Sequence, residues 1–303
     1  MTAGTAGAPG HRRAWDTPER TATFERIYRE LMAVDQLPSA PEVAQKMLVM
    51  VSRDDVSAHD LSKLIGCDQA LTARLLRLAN SAFFAIRSKV TTIPQAVTLL
   101  GFARVRDLVL GLSVWEALAG TSAAARRHRH EMWVHTVTVA AAAKMLAERN
   151  RRDGAEAFAA GLLHDVGKLV LGVRLGDTYW TMLEEADEHG ESAAAVEEAS
   201  FGCHHGIVGA WLMQLWQLPA TLVDAVALHH DPLERAFGLD LPTILGIADK
   251  LVRVTDPAIG IAREETLAEV HAFAPDVLET EQWRALWMGM SAEREAVAGI
   301  LAQ

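Results

Sequence analysis

Six histidines fall on or beside apolar helical stretches, at His135, His164, His204, His205, His229 and His230, and two aspartates, Asp165 and Asp249, fall among and after them. Imidazole nitrogen and carboxylate oxygen together suit zinc, manganese or iron. The pattern is a histidine, a His-Asp pair inside Gly161-Leu-Leu-His-Asp-Val-Gly-Lys-Leu169, another histidine, a His-His pair, then Asp249 in Ile247-Ala-Asp-Lys250. A carboxylate between two cations can bridge them and leave water to be activated. Adjacent residues on a helix diverge by about 100°, so His164 and Asp165 reach one ion only where a cleft wraps their helix. Any one of these histidines alone has an ordinary reading as a hydrogen-bonded core or surface side chain. Their joint pattern is what points to metal. The other six, His11, His59, His128, His130, His189 and His271, sit in polar or linker settings where solvation accounts for them.

The elements that must position this set belong to a chain of 303 residues, 50% apolar and 22% charged, with a formal net charge of −10. That length and composition describe one large globular domain or two modest ones with a sizeable core. The acidic balance argues against a broadly basic nucleic-acid or membrane surface. Two cysteines, Cys67 and Cys203, cannot build a disulfide scaffold, so the chain is expected to be reduced, soluble and cytoplasmic. Residues 1–20 lack the apolar run of a signal peptide. Apolar runs such as 96–100 and 169–173 fall far short of the roughly 20 residues that cross a bilayer.

Helical periodicity dominates. Phe24, Ile27, Leu31 and Met32 mark a first stripe. Leu37-Pro-Ser-Ala-Pro-Glu42 then carries a capping serine, an early proline and a glutamate before Val43, Met47, Leu48 and Val51. Ser57 and Asp60 form a second capping box that opens a helix ended by Gly66, and Asp68 caps the next. Thr92 starts a helix that Gly101 interrupts before the pattern resumes over 105–118. Residues 120–130, small and basic, read as a linker. Helices are predicted beyond it at 133–149, 154–171, 177–189, 192–201, 207–214, 220–229 and 241–255. Weaker ones follow around Leu267, 283–290 and 292–301, where Trp283 and Trp287 could be core or a docking face. Residues 89–93 are the lone strand candidate. The predicted fold is all-α, with two packed helical lobes. Residues 1–21 form a disordered lead-in, 22–120 the first lobe, 131–239 the second, and 240–303 a helical extension.

Residues 58–79 have the outline of a helix-turn-helix, with Arg74 and Arg77 on the second helix. Two arginines supply little counterion release, and Asp68 stands where phosphate would dock. Simple packing of two helices is the better reading, and no nucleic-acid partner is expected.

The segment around His164-Asp165, preceded by Trp133-Val-His135 and followed by His229-His230, resembles the HD superfamily of metal-dependent phosphohydrolases. More closely, the chain is similar to the HDOD family, the HD-related output domain of bacterial signalling proteins. The residues that carry this include Asp68-Gln-Ala-Leu-Thr-Ala-Arg-Leu-Leu-Arg-Leu-Ala-Asn-Ser-Ala-Phe-Phe84 and Ile93-Pro-Gln-Ala-Val-Thr-Leu-Leu-Gly101. Phe201-Gly-Cys-His-His-Gly206, Trp216-Gln-Leu-Pro219 and His229-His-Asp-Pro232 complete them. The resemblance implies that the second lobe is an HD-like bundle. It implies a regulatory role in signal transduction through protein partners, without catalysis, and leaves a homo-oligomer open. It also implies a metal set. His135, His164, Asp165 and Asp249 match the four-residue HD pattern, and His205, His229 and His230 match further positions of the HD-GYP relatives that cleave cyclic di-GMP. Asp165 and Lys168 would be the catalytic pair, Lys168 standing where those enzymes keep a lysine near phosphate. His204 takes no role from the family. No Gly-Tyr-Pro segment follows His230, which removes the loop that shapes a cyclic-dinucleotide pocket. The alternative implied function is a metal-dependent phosphohydrolase acting on a nucleotide or phosphodiester. Its cofactor would be iron, manganese or zinc, in a mononuclear or dinuclear site, and none if the site is vestigial.

Overall fold

The computed structural model describes residues 57–80, 88–117, 123–231 and 240–255, together with Val43 and Lys46. Among the described residues the regular elements are all α-helices. The first four are α1 (Ala58–Gly66), α2 (Gln69–Ala79), α3 (Ile93–Leu100) and α4 (Phe102–Ala117). Next come α5 (Ala123–Arg149), α6 (Gly154–Leu163), α7 (Val166–Leu175) and α8 (Asp177–Glu188). The last four are α9 (Ala193–Phe201), α10 (His205–Leu215), α11 (Ala220–Leu228) and α12 (Leu241–Thr255). No helix is long and apolar enough to cross a membrane among the described residues. Val43 and Lys46 are helical, as expected beyond the capping serine. The remainder of that helix, the stripe at 24–32, the lead-in and the segments beyond 255 lie outside the described residues.

Local signals set the starts of several helices. The Ser57 hydroxyl accepts from Asp60 N–H at 3.2 Å while the Asp60 carboxylate accepts from Ser57 N–H at 3.1 Å, a complete capping box. Asp68 caps α2 by accepting from Leu71 N–H at 3.0 Å. That carboxylate holds the helix end where a phosphate would have to sit, and α2 turns Leu71, Leu75 and Leu78 into the core. Thr92 caps α3, and Gly101, at φ 92°, takes the left-handed turn between α3 and α4.

Three expectations are corrected. Residues 89–93 form no strand: the side-chain amide of Asn80 donates to Val90 C=O at 2.7 Å and its oxygen accepts from Val90 N–H at 2.7 Å. One asparagine thus does what a partner strand would have done. The linker is also shorter than expected, because α5 begins at Ala123 and runs 27 residues. His128 is consequently not a solvated linker residue. Its ring stacks on Trp180 of α8 at 4.8 Å, and its Nε2 lies 3.2 Å from Glu184 Oε1. Finally, the single helix predicted over 154–171 is two, broken at His164 and Asp165. His59 and His189 are exposed as expected; the side chains of His11, His130 and His271 lie outside the described residues.

The first lobe, α1 to α4, meets the second where α4 packs on α6, and buried apolar residues of both lobes form one continuous cluster. In the second lobe α5 lies along α6 and α12, α10 packs on α7 and α11, and α11 closes against α12. Helix α12 lies past the expected boundary at 239, yet it packs against α5, α6 and α11 of the second lobe. The α5–α6 contact depends on Gly161: a Cβ there would stand 2.3 Å from the Ala140 Cα. The obstacle is backbone, so a side chain can be accommodated only if the helices separate. Gly161→Ala is therefore expected to cost about 1–3 kcal/mol or more, read as a lower urea midpoint. Gly66→Ala, with nothing within 4 Å of its Cβ position, is the matched control and is expected to be neutral or slightly stabilising.

Candidate metal centre

The break between α6 and α7 resolves the problem of two adjacent ligands. His164 is the last helical residue of α6 in backbone terms (φ −58°, ψ −39°), and Asp165 leaves the helix at φ −96°, ψ 9°. The chain turns at that point, so both side chains enter the same space without a cleft wrapping a continuous helix. Gly167 makes the turn compatible with α10, because a Cβ there would stand 1.9 Å from the His205 carbonyl oxygen.

All seven expected metal residues, with Lys168, come together. His135 comes from α5, His164 and Asp165 from the break, Lys168 from α7, His205 from the first position of α10, His229 and His230 from just past α11, and Asp249 from α12. All are buried except His230, which is partly buried. Two groups of donor atoms form, each within 4.8 Å: Asp165 with His205, His229 and His230, and Asp165 with His135 and His164. Asp165 belongs to both, and Asp249 Oδ1 adjoins the second group, 2.9 Å from His135 Nε2. His204, which has no family role, is buried with its ring 5.5 Å from that of His230.

The chemistry of the rings is set by their far nitrogens. His164 Nδ1–H donates to Gly161 C=O at 2.7 Å and His229 Nδ1–H to Val226 C=O at 2.7 Å. In both cases a histidine at the C-cap of a helix donates to a carbonyl of the last turn. His205 Nδ1–H donates to the Glu197 carboxylate at 2.6 Å. Each neutral ring is left with its Nε2 lone pair directed inward, the usual arrangement of a metal-ligating histidine.

The spacing tests whether a metal fits. His135 Nε2, His164 Nε2 and Asp165 Oδ2 form a triangle with sides of 3.3, 3.4 and 3.7 Å. Ligands about 2.1 Å from a common ion lie about 3.0 Å apart at right angles and about 3.4 Å apart at the tetrahedral angle. In the other group His205 Nε2 is 3.0 Å from Asp165 Oδ1 and 2.7 Å from His230 Nε2. His229 Nε2 is buried without a hydrogen-bond partner, a costly condition that a cation at this point removes. The residues fit a divalent transition metal.

Charge is balanced around the same atoms. Burial alone would raise the Asp165 pKa, but the facing His164, Lys168 and His205 hold it well below the usual range. Lys168 donates to Asp165 Oδ2 at 2.7 Å, so its ammonium sits on the shared carboxylate. Burial would likewise raise Asp249, but Arg253, His135 and His164 together hold it well below the usual range, the Arg253 Nε donating to Oδ1 at 3.0 Å and Oδ2 at 3.1 Å. Burial would lower His205, yet the Glu197 and Asp165 carboxylates raise it. Without metal, a proton on Nε2 meets the same electrostatic need, and metal binding would release it.

Glu197, Tyr179 and Arg253 were not anticipated from sequence. Arg253 could have been found, since it lies four residues after Asp249 on one helix face. Glu197 carries a weaker signal: it falls on the apolar stripe of α9 between Ala194 and Phe201.

The fold and site define a helical protein built around a buried His/Asp cluster whose donor atoms could hold a metal ion. The chain belongs to the HDOD-domain family, whose pattern matches residues 37–232. A candidate phosphohydrolase from Shewanella amazonensis SB2B has a similar structure, with a TM-score of 0.65 and 26% identity over 89% of this chain and 96% of that one. A candidate signal transduction protein from Marinobacter aquaeolei VT8 is similar with a TM-score of 0.66 and 21% identity, covering 94% of this chain and 65% of the other. An uncharacterized protein of Treponema pallidum (strain Nichols) is 24% identical over 200 residues, 65% of this chain. This chain spans only 38% of the length of that curated relative.

The buried histidines set the acid stability of the metal-free protein. Burial lowers His135 from 6.5 to about 4, with Asp249 opposing, and His229 and His230 lie well below 6.5. Between 6.5 and about 4 the unfolded chain therefore binds more protons than the native one, and stability falls as pH falls. His205 runs the other way: its raised pKa gives stability below 6.5 that is lost as pH rises through its native value. Urea unfolding of metal-free protein at pH 7 and pH 4.5 should show a net loss, of which His135 supplies about 3 kcal/mol at most. His135→Gln should flatten that dependence.

Proposed function

We propose that this chain is a signal-transduction module of the HDOD type whose second lobe holds two divalent transition-metal ions, and that it acts through a protein partner in the cytoplasm. The observation that carries the metal reading is the convergence of the Nε2 lone pairs of His164, His205 and His229 on Asp165, each ring held with its other nitrogen donating. His135, His164, Asp165 and Asp249 would hold one ion, and Asp165, His205, His229 and His230 the other. The mixed imidazole–carboxylate set favours iron, manganese or zinc over calcium or magnesium. Likeness to a candidate signal transduction protein supports the signalling role. The near-complete burial of the centre supports a metal that organises the lobe.

The second reading is hydrolysis of a phosphoester, and the observation that favours it is Lys168, a buried ammonium placed on the shared carboxylate. Bound ions would supply Lewis-acid activation of the phosphoester and of water. In that reading Asp165 would be a ligand common to both groups of donors, and Lys168 would offer its charge to a phosphate oxygen.

Elemental analysis of untagged protein should find close to two equivalents of iron, manganese or zinc, falling to one or none in Asp165→Asn; metal-free protein after growth in supplemented medium would sink the metal reading. The same preparation separates the two roles. Partner action expects no turnover of bis(p-nitrophenyl) phosphate or cyclic dinucleotides. Turnover that disappears in both Asp165→Asn and Lys168→Met would establish hydrolysis instead.

A further inference from the structure

Glu197 belongs to α9, a helix that contributes no ligand, yet it is fully buried and bonded on both oxygens. Its Oε2 accepts from the His205 backbone N–H at 2.7 Å and from His205 Nδ1–H at 2.6 Å. Its Oε1 accepts from the Tyr179 hydroxyl at 2.6 Å.

The geometry points to Glu197 as a positioning residue of the metal centre: oriented by Tyr179, it selects the Nδ1–H tautomer of His205 and so aims the Nε2 lone pair at the position shared with Asp165, His229 and His230. The assignment rests on the metal-centre reading above. A neutral imidazole carries one proton on either nitrogen. With that proton on Nε2 the ring would present hydrogen, not a lone pair, to an ion. His164 and His229 are protected from this by backbone carbonyls, which no side-chain substitution removes. His205 alone among these three rings takes its tautomer from a side chain. A carboxylate acceptor also makes the ring a more basic donor to metal.

Glu197 has a second effect, because its bond to His205 N–H caps the first turn of α10. A cap alone would alter stability and leave ring tautomer and metal affinity untouched, so the two roles separate experimentally.

The test uses the full chain stripped of metal, in a His135→Ala background that leaves only the His205 group complete. Side-chain 15N NMR at a pH above the titration of His205, where the metal-free ring is neutral, reads its tautomer, and titration with Zn(II) reads affinity. The expected result is an Nδ1–H tautomer with Glu197, its loss in Glu197→Leu, and a 10- to 100-fold weaker affinity in that variant. Glu197→Gln, whose amide oxygen can still accept from Nδ1–H, should restore the tautomer and most of the affinity. Tyr179→Phe should weaken binding in the same direction by a smaller factor, and it carries the test if Glu197→Leu does not fold. Unchanged tautomer and affinity in Glu197→Leu, or in Tyr179→Phe where that variant stands in, would overturn the positioning role alone. Failure of the unsubstituted chain to bind Zn(II) would overturn the metal-centre reading and this inference with it.

Discussion

Buried lone pairs that face one another need a positive charge among them, and the second lobe is organised around meeting that need. Imidazole nitrogens from α5, the α6–α7 break, α10 and the end of α11 converge on the single carboxylate of Asp165. Water cannot screen them, so they must be balanced on the inner side, and His164, His205 and His229 are also oriented by a bond on the outer side. The outer bonds come from helix-end carbonyls and Glu197. The inner balance comes from Lys168, from protons, and in the proposed state from metal. Gly167 belongs to the same constraint, since α7 could not carry Asp165 this close to His205 with any side chain at that position.

The local charge agrees with a cation-binding role. Asp165, Asp249 and Glu197 are held ionised inside the lobe, while Lys168 and Arg253 are the fixed cations bonded to two of them. Three carboxylates against two cations leave the interior short of positive charge. The deficit is one charge, which a proton on His205 supplies in the metal-free protein and which a metal ion would supply in its place. The helices α8 and α9 supply no ligands, but Tyr179 and Glu197 tie them to His205. Because Trp180 stacks on His128, α8 also touches the N-terminal part of α5 near the junction of the lobes.

Much of this was legible in the sequence, because the signals involved are local. Capping residues and apolar periodicity act over three or four positions, so Ser57, Asp68 and Thr92 marked helix starts that the structure reproduces. Helix α12 also matched its predicted span of 241–255. The residue types of the ligand set were equally legible, since metal chemistry restricts them to a few side chains and the motifs carrying them resemble one family. What failed was local evidence contradicted by distant contacts. Apolar continuity over 154–171 concealed a break that is held by packing against α10. The basic composition of 120–130 concealed a helix whose His128 lies on Trp180.

The sequence by itself therefore determined where most helices lie and which side chains can bind a metal, because propensity and ligand chemistry belong to residues and their near neighbours. Tertiary structure alone decided that His164 and Asp165 point the same way, that Asp249 joins the set across the fold, and that Glu197 governs His205. Those facts depend on backbones meeting at Gly161 and Gly167 and on charges buried together from separate helices. Such contacts are set by three-dimensional packing, which no spacing along the chain encodes directly.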